Sequence, residues 1–459
     1  MEIEEMVSKI LELIKEKKIR EIKKELANLE EIDIAEVMNE LPLDANLLLV
    51  FRLLDKDMST EIFANLDSEE QEYIINSITD KEISTIIEDL FTDDAVDMLE
   101  EMPATVVKRV LKNATPDTRN LINQFLKYPD SSAGSVMTSE FVDLKSNMTV
   151  SEAVNHLRKV AKDKETIYTC YVTDKTRILE GVVSIRDMLL ANSDDLLKDI
   201  MEKDIISAHT LDDQEAVAQD FAKYDLIALP VLDNEERLVG IITIDDIVDV
   251  MTEEATEDIM KMNAIVPTED PYLKTSVFKI AKSRIVWLMI LMFTSIISGI
   301  ILDSFENAIS ALPFLVVFIP MLMDSGGNAG SQASTTIIRG LATNEITLKD
   351  CLKVAWKEIR VALMVGVILC AFMTLRIIIQ YGLINPVEDT VVPIRLVLSV
   401  TGAMLATITA AKLVGSLLPM LAKKIHLDPA IVAAPMLTTI VDATALTIFF
   451  LLVKLMYQI

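Results

Sequence analysis

The stretch Ala430-Ile-Val-Ala-Ala-Pro-Met-Leu-Thr-Thr-Ile-Val-Asp442-Ala-Thr-Ala-Leu-Thr-Ile-Phe-Phe-Leu-Leu-Val453 decides how this chain is read. It is long and apolar enough to cross a bilayer as a helix, and its only acid, Asp442, falls near its middle. A carboxylate at membrane depth costs roughly 3 kcal/mol or more, so the residue reads as an ion or proton site. A structural acid paired to a neighbouring helix is the other reading. Helical spacing places Ala434, Thr438 and Ala445 on the face of Asp442. That face is small and polar, whereas Phe449, Phe450, Leu451 and Leu452 are bulky. It would border a narrow wet path or let another helix approach closely.

Four more apolar runs precede this one, at 285–302, 308–323, 361–384 and 396–420. The third is interrupted by Arg376 and the fourth carries Lys412 near its end. Five spans put the two ends of the chain on opposite sides. Lys279, Lys282 and Arg284 precede the first span, and Arg339, Lys349, Lys353, Lys357 and Arg360 separate the second from the third. Lys423 and Lys424 separate the fourth from the fifth, while the alternate loops hold Asp303, Glu306, Glu388 and Asp389. Positive loops stay cytoplasmic. The N-terminal portion is therefore expected inside the cell membrane and Ile459 outside.

The second run leads into Asp324-Ser-Gly-Gly-Asn-Ala-Gly-Ser-Gln-Ala-Ser334. Its small residues would let helices approach, and Asn328 and Gln332 could hydrogen-bond across them. The stretch reads equally as the lining of a water-filled mouth or as a plain reentrant turn.

Charge divides the chain. The net charge of −28 splits into −32 over residues 1–278 and +4 thereafter. An acidic, water-exposed portion thus precedes the membrane portion. Such acidity argues against nucleic acid as a partner and favours cations. Cys170, Cys351 and Cys370 form no metal-binding or redox spacing, which fits a reducing compartment. The N-terminus is charged and helical in pattern, without signal-peptide character. His156, His209 and His426 are isolated, and no catalytic triad or phosphate-cradling loop is present, so no enzyme is indicated.

Residues 1–130 are helical in pattern, with a nine-residue unit recurring at 34–42, 59–67, 83–91 and 95–103. Repeats of this kind suggest a superhelical stack. A break at Tyr128-Pro-Asp-Ser-Ser-Ala-Gly134 ends it. Two similar modules follow at 131–200 and 201–252. The first contains Met137-Thr138, a helical segment 150–160, Cys170-Tyr-Val-Thr-Asp174 and Gly181-Val-Val-Ser-Ile-Arg-Asp187. The second contains Met201, a helical segment 211–223, Ala228-Leu-Pro-Val-Leu-Asp233 and Gly240-Ile-Ile-Thr-Ile-Asp-Asp246. Each reads strand, helix, strand, turn, strand, helix. The duplication resembles the CBS-domain pair, whose cleft often takes an adenine nucleotide such as ATP. That resemblance implies phosphate contacts from Ser184 or Thr243, aided by Arg186, and ribose contacts from Asp187 or Asp246.

Asp245, Asp246, Asp249, Glu253, Glu254, Glu257 and Asp258 are seven acids in 14 residues, with no Lys or Arg among them. Like charges at helical spacing repel. A divalent cation would relieve the repulsion through oxygen ligands, or the run is a solvated helix face. Residues 253–278 are expected to form a connecting helix ahead of a membrane domain at 279–459.

In order, the helical repeats, the paired modules, Ala255-Thr-Glu-Asp-Ile259, Gly326-Gly-Asn-Ala-Gly330 and Asp442 resemble the MgtE family of magnesium channels over essentially the whole chain. The resemblance implies a homodimer in the lipid bilayer with five helices per subunit. Its pore is bordered by the second and fifth spans, and the connecting helix acts as a plug. Asp442 would be the selectivity acid, with Thr438, Ala434 and Asn328 beside the path. Asp93, Asp97, Asp246, Asp249, Glu254, Glu257 and Asp258 would bind the Mg2+ that favours closure. Thr169 stands where the family implies an aromatic residue against adenine, and Ala445 where it implies a glycine near the pore acid. A coupled cation antiporter of the same fold and a membrane-anchored nucleotide sensor without transport remain the alternative readings.

Overall fold

The computed structural model of the chain describes residues 3–268, 272–273, 275–384, 394–431 and 434–458. Glu388 and Asp389, expected in an outer loop, lie outside the described residues. Two compact units divide at 251/252.

The first unit begins with ten helices among the described residues, α1 (Ile3–Lys15), α2 (Ile19–Leu26), α3 (Glu31–Asn39), α4 (Ala45–Leu53), α5 (Lys56–Ala64), α6 (Ser68–Ser77), α7 (Asp80–Asp89), α8 (Thr92–Glu101), α9 (Ala104–Asn113) and α10 (Pro116–Phe125). The four recurring units fall on α3, α5, α7 and α8. Near neighbours in sequence pack pairwise, α1 on α3, α3 on α5, α7 on α9 and α8 on α10. Ile34, Met38, Ile62, Phe63, Ile83 and Val96 are buried in one continuous core. No single helix of this length is stable alone; each is held by the face it buries on the next.

The paired modules have the same topology. The first holds β1 (Asp143–Lys145), α11 (Val150–Val160), β2 (Thr169–Thr173), β3 (Leu179–Ser184), α12 (Ile185–Leu190) and α13 (Leu197–Ile200). The second holds β4 (Ala208–His209), α14 (Gln214–Tyr224), β5 (Ala228–Leu232), β6 (Leu238–Thr243) and α15 (Ile244–Met262). In each, the first strand lies parallel to the second and the second antiparallel to the third, with a register shift at Val172/Thr173 and again at Val231/Leu232. The modules exchange their leading segments. Thr138 pairs with Ile241 of β6, and Glu202 with Val182 of β3. Glycine suits 181 and 240 there, because an added Cβ would lie 3.0 Å from the Glu202 carbonyl oxygen and 2.8 Å from that of Thr138, respectively, both backbone atoms.

The second unit contains five long helices among the described residues: α16 (Val277–Ser304), α18 (Ile319–Ala342), α19 (Cys351–Ile378), α20 (Ile394–Lys424) and α21 (Ala434–Tyr457). All but α18 are long and apolar enough to cross a membrane. A short helix α17 (Glu306–Ala311) and a 3-10 turn (Pro313–Phe318) lie between α16 and α18. Helix α20 packs on α18, α19 and α21, and Phe450 stacks on Phe305 at 4.9 Å.

Three expectations are corrected. The run 308–323 is not one span: α17, the 3-10 turn and the first residues of α18 share it, because Pro313 and Pro320 lack the N–H a continuing helix needs. The segment 324–334, which also read as a plain reentrant turn, is instead the middle of α18. The connecting helix also ends earlier than expected, at Met262 rather than 278, and it continues unbroken from the second module's last helix.

Candidate functional site

Small residues let α18, α20 and α21 approach closely. A Cβ on Gly326 would fall 2.7 Å from Thr407 Cγ2 and 2.9 Å from Val441 Cγ1, and one on Gly330 would meet the Ala411 carbonyl at 3.2 Å. Gly327 faces Thr438 Cγ2 at 3.7 Å. At this crossing α21 presents Thr438 and Asp442, both half-buried. Asp324 lies on α18 near enough for its charge to bear on Asp442. Asp324, Asn328 and Gln332 follow one another at four-residue spacing and are all exposed, so they form one polar stripe. Ala445 is fully buried and packs inside the bundle, as do Phe449 and Phe450. Of the face expected to surround Asp442, Thr438 is thus half-buried beside it and Ala445 is not open to a path. Ala434 begins α21, and its side chain lies outside the described residues. Asp324 was missed as a site residue, although the period of four linking it to Asn328 and Gln332 was available in the letters.

Beside this crossing α19 and α20 share a buried ion pair. Lys412 Nζ lies 3.6 Å from Glu358 Oε2, with side chains 7% and 13% exposed. The cation that interrupts the fourth apolar run is thus compensated within the bundle, as a charge at that depth must be.

A second arrangement lies in the first unit. The N-terminus of α8 has no capping side chain of its own. Glu140, from the exchanged segment of the first module, supplies one. Its Oε2 accepts from the Thr92 N–H at 3.3 Å and the Thr138 hydroxyl at 2.8 Å, and its Oε1 accepts from the Thr92 hydroxyl at 2.8 Å. An anion suits the positive end of a helix. The junction brings Asp93 and Asp94 on α8 to Glu165, Asp245 and Asp246. The charges bearing most strongly on Asp93, Asp94, Glu165 and Asp246 are all negative.

Burial, and then the neighbouring Asp94, Asp246 and Glu165, hold Asp93 well above the usual carboxylate range. Burial and Asp246 raise Asp94 to about 6, and burial with Asp246 and Asp245 raises Glu165 to about 8. Asp246 reaches about 6 through burial, against a 2.7 Å hydrogen bond from the Thr243 hydroxyl. Asp93 Oδ1 is buried without a hydrogen-bond partner. Asp97 and Asp249 are exposed at the edge of this surface. Asp94, Glu140 and Glu165 were not singled out from the sequence, because only the fold brings them together.

A third group of acids is in the second unit. Glu257 and Asp428 both bond Lys261, at 2.7 and 2.8 Å. Asp258, close to Asp428, is raised to about 6 mainly by burial. Glu254 lies near it on the same helix. Among the described residues no three His, Cys, Asp or Glu side chains already converge as ligands for one ion. The clusters supply negative potential and oxygen donors rather than a finished cage.

In the first module Ser184 caps α12. Its hydroxyl donates to Asp187 Oδ2 at 2.6 Å and accepts from the Asp187 N–H at 3.1 Å. Arg186 and Asp187 are exposed, and Thr169 is half-buried on β2. In the second module the equivalent pair, Thr243 and Asp246, is turned into the acid cluster.

A carboxylate-bearing crossing of small-residue helices in an apolar bundle, preceded by a folded acidic unit, fits the class of membrane transport proteins for cations. Residues 319–452 match the MgtE divalent cation transporters, residues 29–131 the MgtE intracellular N domain, and residues 133–194 and 197–253 the CBS domain. The chain is 34% identical to the magnesium transporter MgtE of Thermus thermophilus over 99% of both chains. It is 31% identical to that of Bacillus subtilis over 98% of this chain and 97% of the relative. The cytosolic domain of the Mg2+ channel MgtE solved in complex with ATP superposes with a TM-score of 0.50 at 34% identity, covering 53% of this chain and 99% of that one. The chain belongs to the MgtE family of magnesium transporters.

Proposed function

We propose that the protein is a magnesium channel that imports Mg2+ across the cytoplasmic membrane as a homodimer and closes when Mg2+ binds its cytosolic acids. The observation that carries this reading is the placement of Asp442, the only acid of α21, beside Asp324 at a crossing where glycines remove side-chain bulk. Mg2+ sheds water reluctantly and prefers octahedral oxygen ligation. Paired Asp442 carboxylates from two copies would hold the hydrated ion through its waters, with Thr438, Asn328 and Asp324 lining the approach and Ala434 at the start of the helix. The exposed stripe of α18 supports the dimer, because polar groups at membrane depth need a protein or water partner.

Closure is assigned to the acids of α8 and α15. The charges bearing most strongly on Asp93, Asp94, Glu165 and Asp246 are all negative, so a divalent cation would stabilise their packing. Asp97 and Asp249 add to the same attraction. In the second unit Glu254, Glu257 and Asp258 form a separate acidic group with Asp428, just before the helix that carries Asp442. The soluble unit and the positive loops are placed inside and Ile459 outside. A nucleotide reading rests on the open face at Ser184, Arg186 and Asp187. With Thr169 offering no stacking surface, ATP is expected to bind there weakly.

Flux into liposomes containing the full chain tests the reading. Mg2+ should run downhill with no imposed sodium or proton gradient, and Asp442→Asn should abolish the flux while the protein stays folded. A flux that requires an imposed gradient identifies an exchanger; normal flux in Asp442→Asn removes Asp442 from the path. Neutralising Asp246, Asp249 and Glu257 together should leave the channel open at high internal Mg2+.

A further inference from the structure

The cytoplasmic end of the membrane unit carries a cleft of about 650 Å³ between the start of α19 and the end of α20. Its wall is apolar, with Leu413, Leu417 and Leu421 on α20, and Cys351 lies at its side. Two ammonium groups, Lys349 and Lys424, stand among the lining residues, and both are exposed. Their neighbours are already engaged. Lys423 donates to the Leu341 carbonyl at 3.0 Å, Lys353 pairs with Asp350 at 2.8 Å, and Arg360 lies over the Trp356 ring. Lys349 and Lys424 have no such partner among the described residues. Trp356, 60% exposed on the first turns of α19, marks the same level as a membrane–water boundary, where amphipathic rings collect.

We propose that this cleft binds one anionic phospholipid from the inner leaflet, its phosphate between Lys349 and Lys424 and an acyl chain along Leu413, Leu417 and Leu421. The charge pattern selects that occupant. An apolar helix would fill the groove and leave two cations unpaired, whereas a zwitterionic lipid would bring its own cation to them. Basic pockets between helices on the cytoplasmic side are suited to anionic headgroups. Each lysine should contribute about fivefold to affinity, so both together contribute roughly twenty-fold.

Cys351 reports occupancy. In full-length protein carrying Cys170→Ser and Cys370→Ser, maleimide labelling of Cys351 in detergent should slow as dioleoyl phosphatidylglycerol is added. Dioleoyl phosphatidylcholine or inorganic phosphate at equal concentration should not slow it. Lys349→Gln with Lys424→Gln should shift the phosphatidylglycerol midpoint by about twenty-fold. Native mass spectrometry of the same proteins should show one retained phosphatidylglycerol per chain, lost in the double variant. Equal protection by phosphatidylcholine, protection by phosphate alone, or an unchanged midpoint in the double variant would overturn the proposal. So would cross-linking of Cys351 between copies in lipid-free micelles, which would make a second chain the occupant.

Discussion

Lys261 Nζ lies 2.8 Å from Asp428 Oδ2. Asp428 Oδ1 in turn accepts the Ala430 N–H at 2.8 Å, so one carboxylate fixes both the last turn of α15 and the approach to α21. Lys261 also bonds Glu257 at 2.7 Å. Among the described residues it is thus the cation paired with this group of Glu257, Asp258 and Asp428.

Lys261→Met keeps length and removes the charge. The groups are partly exposed, so the bridge contributes about 1 kcal/mol, but its loss leaves three acids facing one another. Amide exchange in residues 255–264 of the full chain should rise in this variant. Millimolar Mg2+ should restore protection, because a divalent ion can take the ammonium's place, and Lys261→Arg should need no such rescue. Unchanged exchange in Lys261→Met would mean that α15 is held by packing alone.

Asp324 makes a prediction separate from Asp442. It is exposed on α18, near enough for its charge to bear on Asp442. Asp324→Asn should keep the fold, since glycine packing at Gly326 and Gly330 is untouched. It should lower Mg2+ flux by roughly tenfold, about 1.4 kcal/mol of lost attraction, without abolishing it. Concentration dependence in liposomes checks this: the half-saturating Mg2+ should rise while selectivity at Asp442 persists. A null phenotype equal to that of Asp442→Asn would make the two acids one unit.

Much of this fold is legible in the letters because period and duplication are local signals. The nine-residue units predict α3, α5, α7 and α8, and the paired Gly181 and Gly240 segments predict β3 and β6. Two kinds of feature are not legible. Helix α18 hides because Asp324, Gly326, Gly327, Asn328 and Gly330 read as a loop in isolation; tight packing against Thr407 and Val441 makes them helical. The cluster of Asp93, Asp94, Glu140, Glu165 and Asp246 hides because its members come from four segments distant in sequence. Only the exchange of leading segments between the modules carries Glu140 to the start of α8. Asp442, in contrast, announces itself, since an acid alone in an apolar run has no local explanation.

Glycine packing gives a stability test. A Cβ on Gly415 would lie 3.0 Å from the Gly330 carbonyl carbon and 3.1 Å from its Cα, both backbone atoms that cannot swing aside. Gly415→Ala should destabilise the α18–α20 crossing by about 1–3 kcal/mol. Gly402 on the same helix would meet only Leu452 Cδ1 at 3.7 Å. Gly402→Ala should be neutral, or stabilising by up to about 1 kcal/mol through helix propensity. Thermal unfolding of both variants in detergent should separate them, and equal losses would place the contact elsewhere.

The acid cluster predicts how α8 responds to pH and Mg2+. The ordinary values of these carboxyls are about 4, and Asp94 and Asp246 are raised to about 6 and Glu165 to about 8. Between those limits the folded state binds more protons than the unfolded one, so stability falls as pH rises. Their contribution is fully present below about pH 4 and is lost as pH climbs through about 6 and then about 8. Without Mg2+, amide exchange in α8, corrected for its intrinsic rate, should therefore increase steadily from pH 5 toward about 8. Glu165→Gln should remove the upper part of that rise, and Asp246→Asn should reduce the lower part, which Asp94 shares, because each variant fixes the neutral form. Saturating Mg2+ should flatten the native profile by supplying the missing positive charge, and should do so less in Asp246→Asn. A native profile that is flat without Mg2+, or that Mg2+ leaves unchanged, would reduce the cluster to buried polarity with no regulatory part.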